Sequence, residues 1–406
     1  MEAWTCQDPA QMAGRHTLGD SHNFGRRVHV GARRVEKPRT LFWERLLLDG
    51  KSPLRRALAS VAERAGLGAD AFGFLPSLGF WPDRAGLGGE VERVVLEPLG
   101  RLTGREKREL ATVVGRSLAL HAFLGVADLH WENLALGADA RGRIVLAPLD
   151  IELILGDLAL PTETKLLPDA DPEYADICRH AAGVRRALPY LGKPVAAEQL
   201  APMVAAYLSL LDVLERHGGE LARVVSRTAG FRTAPIRVCL RGTDEYVRAR
   251  SVPPWPPLLD AELEQLERDD IPYFFRLYGE RGIHYYANRA LTRWKTLPLR
   301  GDVPKVESLL SVARGFRSSK HERLRKEGVF TLLGAFDHAG LAGRHACDGY
   351  EVAFGARSLA VTLPSGETRS TRRNLRAVVG SVYLPCRCGE VRSVFVPPVT
   401  RCRAAL

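Results

Sequence analysis

The sequence predicts an α+β fold in which a strand-rich first hundred residues precede a helical section and a small β-rich region closes the chain. Three observations carry that prediction. Val28, Val30 and Val35 surround Gly31 in the manner of a β-hairpin; apolar residues recur at three- and four-residue steps from Arg105 to Leu124, as on one face of a helix; and short alternating runs return beyond about residue 345. With 406 residues, 46% hydrophobic and 26% charged, the chain has material for a buried core and for more than one domain.

Taken in order, the elements divide the chain at residues 1–100, 101–230, 231–300 and 301–406. In the first part the hairpin over 26–36 carries Lys37 at its end, and residues 91–97 read as another strand closed by Pro98 and Gly100. Leu110, Val113, Val114, Leu118 and Ala122 then define a core-facing helix, with Thr103 as its N-cap and Gly125 just past its end. A polar turn, Asp128 to Asn133, follows at once, and two short apolar runs, 134–136 and 144–146, lead as a hairpin to Asp150. Leu200, Val204, Tyr207, Leu208, Leu211 and Leu214 mark a long helix over 198–216 that stops at Gly218-Gly219. Residues 231–258 read as strand and then as Pro-rich chain, 260–270 are charged, and Tyr350–Phe354 and Ser358–Leu363 read as strands before a Pro364-Ser365-Gly366 turn.

Composition narrows the function classes. No 20–50-residue repeat is present, which sets solenoids and propellers aside. No apolar stretch reaches an uninterrupted membrane span and the first residues do not form a secretion signal, so a cytoplasmic protein is expected. Seven scattered cysteines read as reduced thiols; Cys386, Cys388 and Cys402, or His345 with Cys347, match no common zinc spacing. The net charge is +11, and residues 301–406 hold 17 Lys and Arg against 9 Asp and Glu. Such a basic region, including Arg323, Arg325, Lys326, Arg372 and Arg373, suits an acidic peptide, and nucleic acid is the less expected partner.

The chemistry is carried by one ordered set of residues. Phosphoryl transfer needs a group to orient the attacking hydroxyl, oxygen ligands for Mg2+ and a cation on the nucleotide phosphates. Asp128 is placed to accept the hydroxyl proton, Asn133 five residues later and Asp150 after the hairpin to hold Mg2+, and Lys37 to meet the phosphates of ATP. This is the arrangement of a protein-kinase-like bilobal fold, with residues 1–100 as one lobe and 101–230 as the other. Two details depart from it: Ile151-Glu152 stands where Phe-Gly usually follows the last Asp, and Asp20–Arg26, in the place of a phosphate-covering loop, is not a Gly-x-Gly-x-x-Gly.

Several stretches in one order resemble the dehydratase domain of class II lanthipeptide synthetases, the LanM type. They are Asp20-Ser21-His22-Asn23-Phe24-Gly25-Arg26, Lys37-Pro38-Arg39, Asp128-Leu129-His130-Trp131-Glu132-Asn133-Leu134, Leu149-Asp150-Ile151-Glu152, then Arg237, Arg241-Gly242-Thr243 with Tyr246, and Asp270-Ile271-Pro272-Tyr273-Phe274. The resemblance spans roughly residues 19–276. It implies ATP-dependent phosphorylation of Ser or Thr in a ribosomal precursor peptide, then elimination of the phosphate to dehydroalanine or dehydrobutyrine. By motif, Lys37, Asp128, His130, Asn133 and Asp150 would serve phosphorylation, and Arg237 and Thr243 would serve elimination within the segment 231–300. A guanidinium such as that of Arg237 can hold a leaving phosphate in bidentate fashion. The zinc cyclase of the full synthetases has no counterpart here, which implies a shortened relative working with a separate cyclase. A kinase without elimination, acting on a peptide, protein or small molecule, is the alternative. A non-catalytic peptide- or nucleic-acid-binding protein is the second.

Overall fold

The computed structural model describes residues 16–372, leaving out 69, 157, 169–181, 193–194, 250, 253–256, 281, 298–318, 337 and 339. The fold is mixed α and β. Arg373, Cys386, Cys388 and Cys402 lie outside the described residues.

The chain opens with β1 (His16–His22), β2 (Arg26–Val30) and β3 (Arg34–Lys37), so the hairpin expected at 26–36 is present. Helices α1 (Phe42–Leu48) and α2 (Pro53–Arg64) follow, then β4 (Phe80–Pro82) and β5 (Gly89–Glu92). The five strands form one antiparallel sheet in the order β1-β2-β3-β5-β4. The strand expected over 91–97 is therefore shifted. It begins earlier and leaves the sheet after Glu92, Val95 is exposed, and Glu97 pairs instead with Ala138 across to the next hairpin.

Helix α3 (Gly104–Leu124) is held at its start by a reciprocal cap: the Glu106 N–H donates to Thr103 Oγ1, and Thr103 N–H donates to Glu106. It packs along α4 (Ala197–Arg216), and the two helices approach so closely that a side chain at Gly115 would meet the Met203 carbonyl at 2.2 Å. Tyr207, Leu211, Leu118 and Phe123 lie in the resulting core. Among the described residues α4 alone has the length and apolarity of a bilayer span, and 83% of that stretch is buried inside the protein, so packing against α3 accounts for its composition. Helix α4 ends at Arg216 with His217 as its cap, one residue before the expected Gly218-Gly219, and those glycines instead begin α5 (Gly218–Arg227).

Between the two long helices lies the hairpin of β6 (Leu134–Ala138) and β7 (Ile144–Pro148). Beyond α5, a four-stranded sheet in the order β11-β10-β9-β8 contains β8 (Ile236–Val238), β9 (Phe274–Arg276), β10 (His284–Tyr286) and β11 (Trp294–Thr296). Residues 231–258 were expected to be strand and Pro-rich chain. Among the described residues there, only β8 is strand: Glu245 reaches back to accept the Gly242 N–H and helix α6 (Thr243–Ala249) follows, while α7 (Asp260–Leu266) occupies the charged stretch and the Pro-rich 253–256 lie outside the described residues. Helices α8 (Ser319–Lys326) and α9 (Gly328–Gly334) pack on α4, as does the meander β12 (Gly343–Cys347), β13 (Tyr350–Phe354), β14 (Ser358–Thr362) and β15 (Thr368–Arg372), the β-rich region the alternation predicts.

Candidate functional site

A charged cluster forms where the first sheet meets the chain after β7. Pro38 carries the backbone from Lys37 at the end of β3 to Arg39, and α1 starts three residues later, so one helical turn delivers Glu44 beneath both cations. Lys37 Nζ donates to Glu44 Oε1 at 2.7 Å and to the Leu149 carbonyl at 2.5 Å. Arg39 donates to the same Glu44 oxygen at 2.8 Å and to Asp150, and its Nε lies 3.2 Å from Glu152. Glu152 in turn pairs with Arg237 on β8, whose backbone N–H donates to the Glu152 carbonyl. Trp43 of α1 fixes the same junction by donating to Pro235 at 2.7 Å. Lys37, Arg39 and Arg237 thus alternate with Glu44, Asp150 and Glu152. Burial pushes the Asp150 carboxyl up, but the charges of Arg39, Lys37 and Arg237 outweigh it and hold Asp150 below the usual range. Arg39 is 9% exposed; against its burial, the three carboxylates keep it firmly protonated.

The second part is the turn after α3. Gly125 adopts a left-handed φ of +63°, and a side chain there would strike Gly156 at 2.1 Å, because residues 124–127 pair with 153–156. The chain entering Asp128 is therefore tied to the chain leaving Asp150. Asp128 itself has φ +65°, a conformation Asp tolerates better than most residues. Its carboxylate accepts from Lys165 at 2.9 Å, while Asn133 Nδ2 donates to the Asp128 carbonyl at 2.9 Å and lies 3.4 Å from Oδ2. The Asn133 carbonyl accepts from the Leu149 N–H, which sets the turn beside Asp150. His130 caps the short 3-10 turn Trp131–Asn133 by accepting the Glu132 N–H on Nδ1. Cys239, just past β8, lies in the field of Arg237, Asp128, Glu152 and Lys165; burial pushes its thiol up.

The turn joining β1 to β2 is fastened to a distant segment. Asp270, fully buried, accepts from Ser21 Oγ at 2.7 Å and from the N–H groups of Phe24 and Gly25 at 2.6 and 2.9 Å. His22 Nδ1 meets the Ile271 carbonyl at 2.7 Å, and burial together with Arg237 lowers its basicity.

Of the residues singled out from sequence, Lys37, Asp150 and Arg237 fall within the charged cluster, and Asp128, Asn133 and His130 within the adjoining turn. Thr243 is separate in character: it stands exposed at the head of α6, while Arg237 is largely buried. Glu44 and Lys165 were missed as site residues, and Arg39, Glu152 and Asp270 were seen only as parts of motifs. A Glu inside the apolar run Leu41–Leu48 is a signal for Glu44; nothing local marks Lys165. Among the described residues no three His, Cys, Asp or Glu side chains form a metal cluster. Asp150 and Asn133, whose amide nitrogen is committed to Asp128, carry hard oxygens of the kind Mg2+ takes when it arrives with phosphates and retains waters. No protein-family model matches the chain, and no curated protein does.

Proposed function

We propose that this chain is an ATP- and Mg2+-dependent Ser/Thr kinase-dehydratase, with a protein-kinase-like bilobal arrangement of residues 1–230, acting on a precursor peptide. The observation that carries the reading is the run of ion pairs from Lys37 through Glu44, Arg39 and Glu152 to Arg237, with Asp150 branching from Arg39; it supports a site in which groups suited to phosphorylation neighbour one suited to releasing phosphate. A strand Lys paired with a helix Glu is what phosphoryl transfer in kinases requires. On this reading Lys37 holds phosphate, Asp128 takes the substrate hydroxyl proton, Lys165 orients Asp128, and Asn133 and Asp150 hold Mg2+, which neutralises phosphate charge when bound. Arg237 then retains the leaving phosphate.

The test is intact-mass analysis of a Ser/Thr-rich peptide incubated with ATP and Mg2+. The unaltered protein should yield a product about 18 Da lighter per modified residue and Arg237→Ala one about 80 Da heavier, since phosphate is added and then not eliminated. A product that stays phosphorylated with the unaltered protein establishes the kinase-only reading, which the exposed position of Thr243 favours. Loss of phosphorylation in Arg237→Ala assigns that residue to the first step and overturns the division of roles.

A further inference from the structure

We infer that Arg39 holds the place of the metal cation at Asp150 and makes metal uptake depend on the nucleotide; this rests on the metal-nucleotide reading above.

Three side-chain carboxylates, Glu44, Asp150 and Glu152, converge on one guanidinium that is 9% exposed. Glu44 and Glu152 are largely out of water and Asp150 is 31% exposed; carboxylates packed this closely stay ionised beside matching positive charge. Lys37, Arg39 and Arg237 supply that match, three cations against three anions, so the cluster is neutral as it stands. A bare divalent ion at Asp150 would add two positive charges within a few ångströms of Arg39 and would break the Arg39–Asp150 pair without giving the guanidinium another anion. A metal that brings nucleotide phosphates removes both obstacles. The phosphates offset its charge and offer Arg39 a new acceptor. One nitrogen is available for this: Arg39 Nη1 is buried and has no hydrogen-bond partner among the described residues. Such an orphaned donor is costly to keep in the folded protein unless a ligand satisfies it at some stage. Pro38 on one side and α1 on the other limit how far Arg39 can travel, so it exchanges partners within the cluster rather than swinging out to solvent.

The residue is a positioning one, and its signature is coupling between two ligands rather than a simple loss of activity. Binding of Mn2+, a spectroscopic stand-in for Mg2+, is measured by electron paramagnetic resonance on the full chain, with and without a non-hydrolysable ATP analogue. The unaltered protein should bind bare Mn2+ weakly, and the analogue should tighten binding by about tenfold or more, within the usual range of coupling between sites. Arg39→Gln should bind bare Mn2+ about tenfold more tightly and lose most of the tightening caused by the analogue. Arg39→Lys, which keeps a cation, should stay close to the unaltered protein, and Arg39→Gln combined with Asp150→Asn should lose the gained affinity. Melting curves for each variant establish that it is folded. If Arg39→Gln is folded and keeps the original weak bare-metal binding and full coupling, the assignment of Arg39 is overturned while the metal-nucleotide reading survives. If the unaltered protein binds neither Mn2+ nor the analogue, both fall together.

Discussion

The two halves of the site solve the problem of charge in opposite ways. Around Arg39 most of the charge is inside: Glu44 is 2% and Glu152 11% exposed, each carboxylate meets a cation, and Asp150, at 31%, stands at the edge. At the turn after α3, Asp128 and Lys165 pair with each side chain about one-third exposed, 31% and 29%. Breaking a fully buried pair such as Lys37–Glu44 strands a charge, whereas a pair with an exposed partner rearranges at less cost. The difference separates pairs that set positions from a pair that can open. On the proposed reading the buried Lys37–Glu44 and Arg39–Glu44 pairs set positions, and the turn presents a carboxylate that can exchange Lys165 for an incoming hydroxyl.

The largest expected effect tests that contrast directly. Glu44→Gln leaves Lys37 and Arg39 short of an anion and should destabilise the protein by about 3–5 kcal/mol in denaturant unfolding. Asp128→Asn should change stability by about 1 kcal/mol or less, yet reduce phosphorylation as severely as Asp150→Asn, by roughly 10²–10³-fold. Equal stability losses in Glu44→Gln and Asp128→Asn would remove the distinction between pairs that set positions and the pair that can open.

How far the sequence revealed this depends on whether the signal is local. The helix at 105–124, the hairpin after it and the strands at 350–354 and 358–362 were legible because periodicity and caps act over a few residues. That a turn and a hairpin separate Asp128, Asn133 and Asp150 was legible for the same reason. The brace at Asp270 was not, since its partners Ser21, Phe24 and Gly25 lie about 250 positions away and no pattern near Asp270 reports them. Lys165 was hidden for the same reason. Arg39 looked like the tail of a motif until three carboxylates from separate segments were seen to meet it.

A buried titratable group with no counter-ion sharpens the comparison from a third side, with an intermediate effect. His121 sits inside α3, its Nδ1 2.7 Å from the Ser117 carbonyl and its Nε2 without a partner among the described residues. Burial pushes it from an ordinary 6.5 down to about 4, the Ser117 carbonyl offsetting only part of that. The unfolded chain therefore binds the proton more readily, so stability is full above about pH 6.5 and falls as pH drops toward 4. The loss amounts to about 3 kcal/mol over that window, at 1.36 kcal/mol per pH unit. His121→Leu should flatten this part of the stability–pH curve whatever it does to stability at neutral pH. An unchanged slope would mean that the imidazole finds a compensating charge when protonated, as the carboxylates around Arg39 do.

The smallest expected effect lies in the half-open pair, and it is the most discriminating. A double-mutant cycle of Asp128→Asn and Lys165→Met should give a coupling of about 1 kcal/mol or less in stability, because two side chains about one-third exposed keep much of their hydration and lose rotamer freedom on pairing. The same cycle on Lys37→Met and Glu44→Gln should give a coupling several times larger. In phosphorylation the order should differ. Lys165 touches Asp128 and on the proposed reading orients it, so Lys165→Met should slow the reaction about tenfold with nucleotide binding unchanged, and Lys165→Arg should recover much of the rate. Asp128→Asn in either background should be equally slow, since Lys165 has nothing left to orient. If the two stability couplings prove equal, exposure does not separate the halves. If Lys165→Met slows the Asp128→Asn protein further, Lys165 acts on something other than Asp128, and the nearest alternative is the nucleotide.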